Sequence, residues 1–274
     1  MQLPDGFEQL LALVKKSPVA KATGQEIWNR FVRTIMIGKN RSDAEISFLM
    51  SMLKDKLDYD YVLKTNGEDW REDMNKFLNE RMQRIQDEDM LLIVSEFQKG
   101  LFYFSASLKG GARFFKAKNL PESIDKLTKT KESTWELIKE IVESKDVSGI
   151  RYAKAILWLH YTGRGQDFAP PTVQLKGFIN NDVGPYYQFY EDDDYFMKKA
   201  QELAASIKGA TLMDIYRTIF LYRTFKHMAG RGRKMTPKKV VDIMKRRKLT
   251  AARVFEILSD IEERAKLAET VGIG

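Results

Sequence analysis

Apolar residues recur along this chain at helical intervals. Ile27, Phe31 and Ile35 stand four apart and predict a first amphipathic helix. Ile46, Leu49, Met50 and Leu53 form a second stripe, with Ser42 or Asp43 placed to cap it. Asn66-Gly67 marks a turn, after which Trp70, Met74, Phe77 and Met82 predict a third helix and residues 90–97 a shorter fourth. Residues 101–105 are aromatic enough for a short strand, but Lys109-Gly110-Gly111-Ala112 breaks the run. The pattern there reads as a loop leading into a helix. Pro121 and Ser123 start a long helix through Trp135, Leu137, Ile138, Ile141 and Val142.

Gly149 interrupts the pattern, and 150–161 is helical again, ending at Gly163-Arg164-Gly165. Ala169-Pro170-Pro171-Thr172 is a rigid extended lead into a helix over 173–179. Helices follow over 192–207 and 212–228, the latter with Leu212, Ile215, Ile219 and Tyr222 on one face. A basic loop covers 230–236, and Pro237 opens a terminal helical pair that ends by Thr270. No proline lies between Val19 and Leu120 or between Glu122 and Ala169. The expected fold is therefore all-α. Without an internal repeat or a low-complexity linker, the simplest organisation is one helical domain over 1–236, two-lobed at most, with a C-terminal helical extension over 237–274.

Composition narrows the function. The chain is 43% hydrophobic, which is enough for a real core, and it has no cysteine. That excludes disulfides, thiolate nucleophiles and cysteine metal sites. The apolar runs 101–104 and 155–159 are too short to cross a bilayer, and the N-terminal segment has acidic residues ahead of its lysines and no cleavage pattern. A cytoplasmic protein without a membrane partner is the expectation. The net charge is +8. Most of the excess lies in 217–247, where eleven cations (Arg217 through Arg247) face a single acid, Asp242. A polyanionic partner suits that distribution.

The most informative stretch is 146–157. A helix ending near Ser144 meets Val147-Ser148-Gly149-Ile150 and restarts at Arg151-Tyr152-Ala153-Lys154. A glycine turn at a helix N-terminus leaves backbone N–H groups pointing outward, a geometry suited to a phosphate. Ser148, Gly149, Arg151 and Lys154 are then the candidate DNA-backbone contacts. An ordinary helix–turn–helix corner with two solvated cations is the plainer reading of the same residues.

The segment 147–153 resembles the hairpin of the helix-hairpin-helix DNA glycosylase superfamily, with Val147 and Ser148 in place of the pattern's first glycine and valine. Residues 108–116, Pro171-Thr172-Val173-Gln174-Leu175-Lys176 and 212–223 fall where that superfamily has its preceding helix, its catalytic segment and its closing helix. The likeness covers residues 98–227, and implies a helix-hairpin-helix glycosylase-like fold with Gln174 and Lys176 at the DNA. The departures concern chemistry. Arg151 cannot form a Schiff base, because its guanidinium stays protonated. Pro171-Thr172 stands where such enzymes carry a catalytic carboxylate, and Asp167 lies four residues early.

A derived branch fits that loss. Asp167-Phe168-Ala169-Pro170-Pro171 with Lys176-Gly177-Phe178-Ile179, 214–220 and 226–233 resemble segments of phage amino acid:DNA transferases and glutamyl/putrescinyl-thymine pyrophosphorylases. The resemblance implies displacement of a (pyro)phosphate from a 5-hydroxymethyl-pyrimidine base by an amino acid or amine. The base would be flipped out of duplex DNA. Fixed positive charge would stabilise the leaving group, and a base would keep the amine neutral. Under this reading Arg231, Arg233 and Lys226 meet the leaving group, Asp167 or His160 orients the amine, and Tyr186, Tyr187 and Tyr190 stack on the base. No cofactor and no metal site are implied, and a monomer is expected. A non-catalytic DNA-binding protein on the same scaffold, or a base-excising enzyme using Asp167, is the alternative.

Overall fold

The computed structural model describes residues 3–37, 41–183, 193–230 and 234–273. Every regular element among the described residues is helical. The chain divides into two compact units, one formed by 22–158 and the other by 1–21 with 159–274. The break therefore does not fall at 236, and residues 237–274 are integral to the second of these units.

The chain begins with α1 (Phe7–Lys15), which belongs to the discontinuous unit. Helices α2 (Gln25–Met36), α3 (Asp43–Met52), α4 (Tyr59–Lys64), α5 (Gly67–Met82), α6 (Glu88–Lys99), α7 (Leu101–Ala117), α8 (Ile124–Leu127) and α9 (Lys131–Glu143) build the 22–158 unit. Ser42 caps α3 in a reciprocal box with Glu45, and Asn66 caps α5 by accepting from the backbone N–H of Glu68 and Asp69. The core is aromatic. Trp28, Phe31, Phe115 and Trp158 form a mutual cluster with ring centroids 5.0–5.7 Å apart. The buried indole N–H groups of Trp28 and Trp158 reach the carbonyls of Leu57 and Ile27, so this core leaves neither unsatisfied.

Helix α7 is the centre of this unit and packs on α2, α4, α5 and α6. It runs unbroken through the segment expected to be a loop. The two glycines do not end it; they thin it. A Cβ on Gly110 would lie 1.7 Å from the Asp146 carbonyl oxygen, and one on Gly111 would lie 2.1 Å from the Phe31 ring. The helix tolerates their weak propensity because two neighbours come within backbone distance. The helix expected from Pro121 is also two: α8 ends at Leu127, and Thr130 caps α9 by accepting from the Ser133 N–H.

Helix α10 (Tyr152–Tyr161) contains the division between the units. The discontinuous unit continues with α11 (Val173–Phe178), a π-helical turn (Ile179–Val183), α12 (Asp193–Ala205), α13 (Leu212–Met228), α14 (Pro237–Arg246), α15 (Ala251–Leu258) and α16 (Ile261–Ile273). Three terminal helices thus replace the expected pair. Helix α1 lies before the first helix that the stripe at Ile27 announces. It buries Phe7, Leu10, Leu11 and Val14 against α13 and α14. Its i, i+3, i+4, i+7 spacing is a full helical face.

Candidate functional site

The hairpin lies between α9 and α10, at residues 144–151. It is held from both ends. Val147 and Ile150 are buried as apolar anchors, and Trp135 of α9 stacks on Tyr152 of α10 at 5.3 Å. Ser107 of α7 donates its hydroxyl hydrogen to the Ser148 carbonyl at 2.6 Å, and the two hydroxyls lie 3.2 Å apart. Gly149 has φ +73°, a conformation glycine adopts without strain. That turn exposes Ser148, Gly149 and Arg151. Among the described residues the backbone N–H groups of Ser148, Gly149 and Arg151 have no acceptor. The Ala155 N–H donates to the Arg151 carbonyl, which puts these free donors at the start of a ten-residue helix. Donors and helix dipole together give this end a geometry that suits an anion.

The two hairpin cations differ. Arg151 is exposed and forms no ion pair among the described residues. Lys154 turns inward, and its ammonium donates to the Ile35 carbonyl at 3.2 Å in the last turn of α2. Burial, and secondarily Arg41, lowers its pKa. Arg41 is itself lowered by burial and reaches toward the Met36 carbonyl. Lys154 therefore serves the C-terminal end of α2, where a cation complements the dipole.

Helix α7 carries two exposed aromatic residues, Phe102 and Tyr103, one of them on the face that meets the hairpin. On α7, Tyr103, Ser107 and Gly110 share one face, and the latter two touch the hairpin at Ser148 and Asp146. Tyr103, one turn back, is 77% exposed, and its neighbour Phe102 is 61% exposed. Phe102 lies under the Arg71 guanidinium at 4.9 Å. The signal in the sequence was the aromatic run at 101–104, which reads equally as core.

In the discontinuous unit, the segment from α10 to α11 holds the other candidates. His160 is 3% exposed, and its Nε2–H donates to the Phe168 carbonyl at 2.7 Å. Burial drives its pKa down to about 4, against the carbonyls of Phe168 and Gly165 and with help from the Arg217 charge. His160 is thus a neutral post that fixes the loop carrying Asp167. Its Nδ1, and Nη1 of the half-buried Arg217, have no hydrogen-bond partner among the described residues. Asp167 is exposed and makes no ion pair or hydrogen bond among the described residues. Residues 168–171 behind it are buried.

Several remaining candidates are engaged internally. Thr172 caps α11 by accepting from the Leu175 N–H. Gln174 is half-buried, and Lys176 pairs with Asp193 at 2.8 Å over the Phe196 ring. Lys226 and Arg223 converge on Asp182, whose side chain is only 5% exposed. The Tyr222 hydroxyl lies 3.3 Å from the same carboxylate and 3.4 Å from the Met235 carbonyl. Its pKa is pushed up by burial and then by Asp182. Gly177 leaves room for the Arg223 guanidinium, which a Cβ would approach to 2.5 Å. Asp214, the first residue of the 214–220 segment, forms a capping box with Thr211 at the start of α13. Arg231, Arg233, Tyr186, Tyr187 and Tyr190 lie outside the described residues.

No helix among the described residues is long and apolar enough to cross a membrane, and no group of three His, Cys, Asp or Glu side chains there could hold a metal. Comparison of the chain with protein-family models, with curated proteins and with solved structures found no match.

Proposed function

We propose that this protein binds the backbone of duplex DNA through its 144–151 hairpin, on a helix-hairpin-helix glycosylase-like scaffold. One observation carries the reading: backbone donors at Ser148, Gly149 and Arg151 that are free among the described residues, with an Arg151 guanidinium unpaired among them, on a turn anchored by Ser107 and by the close approach of Asp146 to Gly110. A rigid donor array with one adjacent cation suits a phosphate oxygen, and it carries no base specificity of its own. Anisotropy of a labelled duplex, titrated over a range of salt, tests it. Arg151→Glu should weaken binding about tenfold and flatten the dependence of log affinity on log salt by about one contact. Unchanged affinity and slope would remove the hairpin from the interface.

The narrower reading is a transferase that displaces (pyro)phosphate from a 5-hydroxymethyl-pyrimidine base with an amine. Asp167 favours it: an exposed carboxylate, unengaged among the described residues and on a loop pinned to His160, is available to accept a proton from an attacking amine. His160 supports this as a positioning residue. Incubating the protein with a duplex carrying phosphorylated 5-hydroxymethyluracil and a mixture of amino acids should release inorganic phosphate and leave an amino-acid adduct on the base, identified by mass, and Asp167→Asn should abolish both. Release of the free base would instead identify a glycosylase, and DNA binding with neither product the non-catalytic reading.

A further inference from the structure

The discontinuous unit contains a cavity of about 600 Å³ between the end of α13, α14 and α16, and its lining is unbalanced in charge. Among the described residues, Lys234, Lys239, Arg246 and Arg247 line it with a single acid, Asp242. None of the four cations forms an ion pair among the described residues. Two are nonetheless held in place by neutral groups. Lys239 donates to the Lys234 carbonyl at 2.8 Å, and Arg247 donates to the Thr270 hydroxyl at 2.8 Å. Positioning by neutral acceptors orients a cation and leaves its charge available. This contrasts with Arg223 and Lys226, which Asp182 neutralises in the same unit.

The floor is apolar, with Met235, Ile243 and Val271. Met235 is also the residue whose carbonyl meets the Tyr222 hydroxyl, so the wall of the cavity is tied to the Asp182 cluster. A volume of this order exceeds what a bare inorganic ion fills and lies within the range of about 300–1,000 Å³ that small-molecule sites occupy. Two or more negative charges are needed to offset the surplus of cations, and a nonpolar body is needed to cover the floor.

We infer that this cavity binds a small phosphorylated organic molecule, its phosphate held by Lys239, Arg246 and Arg247 and its body lying on Met235, Ile243 and Val271. The site does not depend on the hairpin reading. Isothermal titration of the full chain with adenosine monophosphate, adenosine and inorganic phosphate tests it. The monophosphate should bind saturably below about 1 mM, with the other two at least about tenfold weaker, since each lacks one half of the complementarity. Lys239→Glu combined with Arg246→Glu should weaken the monophosphate about tenfold or more. Ile243→Trp, which fills the cavity without changing charge, should do the same. Lys129→Glu combined with Lys131→Glu makes the same change in net charge in the other unit and should leave binding unaltered. Far-ultraviolet circular dichroism confirms that each variant is folded. Absence of saturable binding by the monophosphate at about 5 mM overturns the inference. So does equal binding of inorganic phosphate, equal loss in the control pair, or a loss of duplex affinity in the Lys239/Arg246 variant without any monophosphate binding.

Discussion

Positive charge is arranged differently in two regions of this protein. At the hairpin, Arg151 is exposed and unpaired among the described residues, while Lys154, three positions on, lies on the Ile35 carbonyl. Along α13 and α14 the neutralised and the available cations are separated by helix. Arg223 and Lys226 on α13 converge on the buried Asp182, whereas Lys239 and Arg246 on α14 meet no carboxylate among the described residues. A formal charge contributes to ligand binding only where the fold leaves it uncompensated. Net charge of +8 is therefore a poor guide to where an anion would sit.

The strongest way to break the comparison is to unseat the hairpin itself. Gly110→Ala should favour an isolated helix, yet its Cβ would meet the Asp146 carbonyl. The clash should win and cost about 3 kcal/mol in urea unfolding, with duplex affinity falling alongside. A stable Gly110→Ala variant with intact binding would mean that the hairpin is not seated on α7.

Asp182→Asn tests the opposite arrangement, in which cations are neutralised. It should cost about 2 kcal/mol, less than a fully buried pair because Arg223 and Lys226 are partly exposed. Unchanged stability would show that the cluster is not holding α13 to the π-helical turn.

Acid should act through His160. Its folded pKa of about 4 lies below the ordinary 6.5, so the neutral form is favoured by folding. The contribution is complete above pH 6.5 and is lost as pH falls toward 4. Lowering the pH from about 7 to about 5 should remove roughly 2 kcal/mol. His160→Gln should flatten that part of the curve; an equally steep curve would place the acid sensitivity elsewhere.

The smallest and sharpest contrast is Arg151→Met against Lys154→Met. The first should lower duplex affinity severalfold and change stability by less than about 0.5 kcal/mol. The second should shift stability by about 1 kcal/mol and leave the salt dependence of binding alone. Identical behaviour of the two variants would erase the distinction drawn between them.

Much of the helical content was legible in the chain because burial and period coincide. The Ile27 and Ile46 stripes became α2 and α3, and Leu212, Ile215, Ile219 and Tyr222 became the buried face of α13. The capping signal at Ser42 was local and held, and Asn66, expected only as part of a turn, also caps the helix that follows it. Gly110-Gly111 misled because glycine breaks helices by default, and only the approach of Asp146 and Phe31 explains why α7 keeps them. The two helices in place of one after Pro121 turned on Thr130, whose side chain reaches the Ser133 N–H and starts α9 anew.

The sequence by itself determined an all-helical chain, a glycine turn at 149 and an excess of cations in the last quarter, since these follow from period, φ preference and composition. Tertiary structure alone decided which side chains are available. It placed Lys154 on a helix end, sealed His160 beneath Phe168, brought Asp182 to Arg223 and Lys226 from about forty positions away, and left Arg151 in solvent. Those outcomes depend on contacts between residues far apart in the chain, and local pattern carries no record of them.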